Sequence, residues 1–84
     1  MKNQGNSMQS QNPLSQAQQS LDHVHNAVAM AQSHPTERMI EQAENSVARA
    51  EQAVRQAHAA NNPGAAQLAD SELQEEKENL HSLQ

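Results

Sequence analysis

The stretch IEQAENSVARAEQAVRQA, residues 40–57, decides the reading of this chain. Ile40, Ala43, Val47, Ala50, Val54 and Ala57 recur in it at steps of three and four, with polar or small residues between them. Such steps place all six on one face of an α-helix, whereas a half-buried strand would alternate in twos. The same spacing runs upstream through Leu14, Ala17, Leu21, Val24, Val28 and Ala31. In each row a branched side chain alternates with alanine, Val24 being the exception, and alanine at every second layer lets two helices approach closely. Only Ser33, His34 and Pro35 separate the two patterns, a link so short that the arms must run antiparallel as a hairpin.

Past Asn61, Asn62, Pro63 and Gly64 a third row reads through Ala66, Ala69, Leu73, Leu80 and Leu83. Glu76 takes the place between Leu73 and Leu80, and Leu68 falls off the row, so this arm is the least apolar and its register is open. The prediction is an all-α fold: an antiparallel helical hairpin plus a third helix, an up-down-up three-helix bundle. Its helices are expected over about 13–33, 35–60 and 63–83 in a single domain of residues 13–84. Residues 1–12 are polar, contain Gly5 and have no apolar period, which predicts a disordered tail. Pro13, Pro35 and Pro63 each stand where a helical period begins, a position at which the missing N–H costs nothing. Asn12 and Asn62 are the expected N-caps of the first and third helices, and either His34 or Thr36 that of the second.

Composition limits function. The chain has 84 residues, among them 14 Ala, 21 Gln and Asn, and no Phe, Tyr or Trp. Five Lys and Arg against ten Asp and Glu give a net charge of −5, the wrong sign for a protein that must neutralise phosphates, so no nucleic-acid partner is expected. No run approaches the ~20 apolar residues of a membrane span, and the first residues lack the apolar core of a signal peptide. Zero Cys removes disulfides and thiolate sites together. A soluble cytoplasmic protein is the expectation.

Sites of chemistry are scarce. His23 and His25 point about 200° apart on a helix and cannot share a metal, and no histidine pair stands four apart. Eight serines occur without a nucleophile turn, and two glycines cannot build a phosphate-cradling loop. No enzyme, cofactor, metal or small-molecule substrate is therefore expected. Two groups of residues remain as a candidate partner-binding surface. Met30 and Met39 flank the tight connection, either filling the open end of the hairpin or offering an adaptable apolar surface. Glu72, Glu75, Glu76 and Glu78 belong to an arm that carries −4, where Asp70 and these four face a single Lys77. Arg38, Arg49 and Arg55 all lie on the second arm, so part of that acidity is expected to face them, at little energetic gain.

The hairpin stretch SLDHVHNAVAMAQSHPTERMIEQAENSVARAEQAVRQA (20–57), with the tail SELQEEKENLHSL (71–83), resembles the small helical-hairpin proteins of unknown function found in spore-forming Gram-positive bacteria. The amide and alanine richness without aromatics is also similar to small acid-soluble spore proteins, but the motifs and basic face of those that coat DNA are missing. What the resemblance implies is an association with sporulation or stress. It carries no site residue with it. Two functional classes stay open: an interaction or structural module that binds a protein partner or itself, and a hydrophilic protectant of stressed cells without a defined partner.

Overall fold

A computed structural model describes residues 13–60 and 63–84, and among them it contains three helices and no strand. α1 spans Pro13–Ser33, α2 Glu37–His58 and α3 Pro63–His81. The expected tail, Asn12 and Asn62 lie outside the described residues.

The first connection is built by local chemistry. The His34 N–H closes α1 on the Met30 carbonyl at 2.8 Å. Thr36 then takes an extended conformation, with φ −93° and ψ 161°, and caps α2: its hydroxyl accepts from the Met39 N–H at 3.1 Å. Its carbonyl accepts from the Ile40 N–H at 2.9 Å. Of the two candidate caps the hydroxyl wins, because it satisfies a helix N–H that would otherwise have no partner, an effect worth about 1 kcal/mol. The helix consequently begins at Glu37, two residues later than the proline suggests, and Glu37 places a carboxylate in the first turn. It also ends at His58 rather than residue 60. The N–H groups of Ala59 and Ala60 bond back to the carbonyls of Gln56 and Ala57 at 3.1 Å, a tightened final turn. α3 stops at His81 in the same way, with Leu83 and Gln84 bonding back three residues at 3.0 Å.

The buried residues are those the periodicity singles out. Ala17, Leu21, Val24, Val28 and Ala31 of α1 meet Ala43, Val47, Ala50, Val54 and Ala57 of α2, and α3 adds Ala66, Ala69, Leu73 and Leu80. Leu14, Ile40, Met39 and Leu83 pack partly buried at the margins, together with Ala27 and Ala53. No polar side chain is buried among the described residues. Half of these fourteen core residues are alanine, so the helices are held by close approach of their backbones more than by interdigitation of long side chains.

Cross-helix contacts set the directions. Along α2 the residues Glu44, Glu51 and His58 meet Gln84, three residues past the end of α3, and Lys77 and Asp70 of α3 in turn, each step of seven down one helix matched by seven up the other segment. That is antiparallel packing in constant register. Leu14 and Leu21 of α1 line one groove with Ala65, Leu68 and Glu72, while His25 reaches Glu76, so α1 and α3 advance in parallel. These pairings fit the up-down-up order.

Candidate functional site

A groove of about 360 Å³ lies between α1 and α3, lined by Leu21, Asp22, His25, Glu72, Glu75, Glu76 and Asn79. Leu21 and Asp22 are adjacent on α1, Leu21 turning inward and Asp22 outward, with His25 one turn beyond Leu21 on the same side. On α3, Glu75 and Glu76 are adjacent, and Glu72 and Asn79 stand three and four residues from them on either side. Three of the four glutamates singled out from the sequence thus share one groove, joined by Asp22. Glu78 belongs elsewhere, to a surface hollow of Gln74, Lys77, His81 and Ser82.

Glu76 differs from its neighbours. It stands in the apolar row of α3, and its side chain is only 15% exposed. Its carboxylate is bridged at 2.7 Å by His25 Nδ1, whose ring is 70% exposed. The hydrogen bond to Glu76 and the charge of that carboxylate raise the imidazole pKa above its ordinary 6.5, against the weaker cost of burial, and Asp22 adds a further upward push. A carboxylate in a helix seam loses hydration, so a cation within hydrogen-bonding distance answers a need created by its position.

A second groove, of about 320 Å³, separates α2 from α3 and is lined by Glu51, Val54, Arg55, His58, Asp70, Leu73, Gln74 and Lys77. His58 Nε2 approaches Asp70 Oδ2 at 2.7 Å, and Lys77 Nζ donates to Glu51 Oε2 at 2.8 Å. Opposite charges alternate here, so this groove is neutralised internally while the α1–α3 groove keeps an acidic excess. Among the described residues the basic side chains paired with α3 carboxylates are His25 and His58, and the three arginines of α2 form none of these bridges.

The methionines separate. Met39 packs partly buried against the core beside Ile40, as a filler of the hairpin end, while Met30 is 53% exposed. Leu68, off the row, is 64% exposed and rims the outer surface near Leu14 and Ala65. Sequence reasoning picked out Glu76 as a carboxylate in an apolar row but not its partner. The signal was present, since a charge in a seam calls for a counter-charge, but choosing His25 over His23 or Arg38 requires the register of α3 against α1.

No group of three or more His, Cys, Asp or Glu among the described residues could hold a metal ion. No described helix is long and apolar enough to cross a membrane. Neither the family models, nor the curated proteins, nor the solved structures compared with this chain give a match.

Proposed function

We propose that this protein is a small non-enzymatic interaction module, whose α1–α3 groove takes a basic, helical segment of a protein partner. The observation that carries the reading is the convergence of Asp22, Glu72, Glu75 and Glu76 from two helices on one groove, with His25 its only basic group among the described residues. Such a surface attracts a lysine- or arginine-bearing helix by long-range charge. Pairing with a second copy through this face is disfavoured, since both copies would present like charge. The cytoplasm is the compartment we assign to it, on the cysteine-free composition and the charge. The association with sporulation rests on the resemblance of the hairpin stretch alone.

The alternative, a bulk protectant with no partner, needs no defined tertiary contacts. A hydroxyl N-cap, a wholly apolar core and a heptad-spaced α2–α3 ladder favour the module over it.

The test is an NMR titration of the full chain with a lysine-rich amphipathic helical peptide at low salt. Expected are shift changes clustered at Asp22, His25, Glu72 and Glu75, lost in a Glu72→Gln/Glu75→Gln variant that melts like the parent. Changes spread evenly over every acidic residue, or persisting in that variant, refute the groove.

A further inference from the structure

We propose that α3 is a pH-sensitive arm, fastened to α1 by His25–Glu76 in mildly acidic solution and loosened as that imidazole loses its proton. This is a property of the fold and stands whether or not the groove has a partner.

The geometry is specific. The bridge joins α3 to the first helix of the hairpin and closes at 2.7 Å. α3 is also the arm with least apolar purchase: it supplies four of the fourteen buried residues, two of them alanine, and its row is interrupted by Glu76. Where the apolar contribution is thin, polar clasps decide a larger share of docking. Once His25 loses its proton, the carboxylate of Glu76 keeps its place in the seam with a neutral partner, and the charge-assisted part of the bond disappears.

The surroundings of His25 reinforce the direction. His25 is faced by Glu72, Glu75 and Glu76 from α3 and by Asp22 from its own helix, and α2 brings no charged residue to that groove. Glu76 first and Asp22 after it favour the protonated ring. For His25 the sign follows from a pKa raised in the folded state above 6.5: the stabilisation is fully present below that ordinary value and is lost as the pH climbs through the raised one.

The experiment measures urea unfolding of the full chain at about pH 5.5 and about pH 8, for the parent and for His25→Gln, using His23→Gln as control. One exposed pair leads to a fall of about twofold to fivefold in the folding equilibrium constant of the parent between the two conditions. The control should show the same fall and the His25→Gln variant less than half of it. Amide protection at Leu73 and Leu80 should drop at least as much as at Val24 and Val28. A parent with no pH dependence overturns the proposal, as does a His25→Gln variant that keeps the full dependence, or protection lost mainly from the hairpin. If the variant does not fold, the ring resonances of the parent decide: a His25 midpoint above that of His23 supports the clasp, and an equal or lower one refutes it.

Discussion

Replacing Glu76 by leucine should make this protein more stable, although it deletes an ion pair. Glu76 occupies the row position between buried Leu73 and Leu80, and its side chain is only 15% exposed, so a leucine there would be covered to a similar extent. Burying a leucine fully is worth ~1.5–3 kcal/mol relative to leaving it exposed, and the fraction covered here brings that to about 1–2.5 kcal/mol. Against this stands the bridge to a largely exposed imidazole, which belongs to the class of surface pairs that contribute little, and the two residues have nearly equal helix propensity. The net expectation is a gain of about 1–2 kcal/mol, or a rise in Tm of roughly 4–8 °C for each kcal/mol in a domain of this size. Urea denaturation followed by far-UV circular dichroism, read as a shift of midpoint at constant slope, measures it directly. The companion variant Glu75→Leu, one residue along on the exposed face, should yield no comparable gain. If Glu76→Leu is neutral or destabilising, or if Glu75→Leu gains as much, Glu76 does not occupy the seam and the packing of α3 described above is wrong.

Two further expectations follow from the seam of the hairpin. Val47→Asp places an unpaired carboxylate at the centre of α2 and should cost about 3 kcal/mol or more, enough to remove most of the helical dichroism of so small a domain, while Gln42→Asp on the exposed face changes little. Equal losses in both variants would show that the aliphatic row is not buried. Ala50 is fully buried in the core, so Ala50→Leu should destabilise by about 1–3 kcal/mol through overpacking, and a chemical-denaturation midpoint equal to or above the parent's would show that the core is not closely packed there.

Much of this architecture could be read directly along the chain. The rows in Leu14–Ala31 and Ile40–Ala57 match the buried faces of α1 and α2 position by position, Leu14 and Ile40 being partly buried at the ends. The weaker row of α3 holds as well, even to Leu68 standing outside it. Boundaries were less legible. Pro35 marks the turn but not the first helical residue, because Thr36 provides the cap and competes for the same role one position later. Of the residues offered as a candidate surface, Glu72, Glu75 and Glu76 share a groove, whereas Glu78 lies in another hollow and Met39 turns to the core.

What the amino-acid order determined unaided is the set of helices, their inward faces and the antiparallel sense of the hairpin, since each depends on spacing within a segment or on a link too short to allow another course. Only the tertiary structure decided which side chains meet across helices: His25 with Glu76, His58 with Asp70, Lys77 with Glu51. Those meetings depend on how far α3 slides and turns against its neighbours. That offset is a relation between helices, fixed by the packing of Ala66, Ala69, Leu73 and Leu80 against the hairpin, and no single segment encodes it.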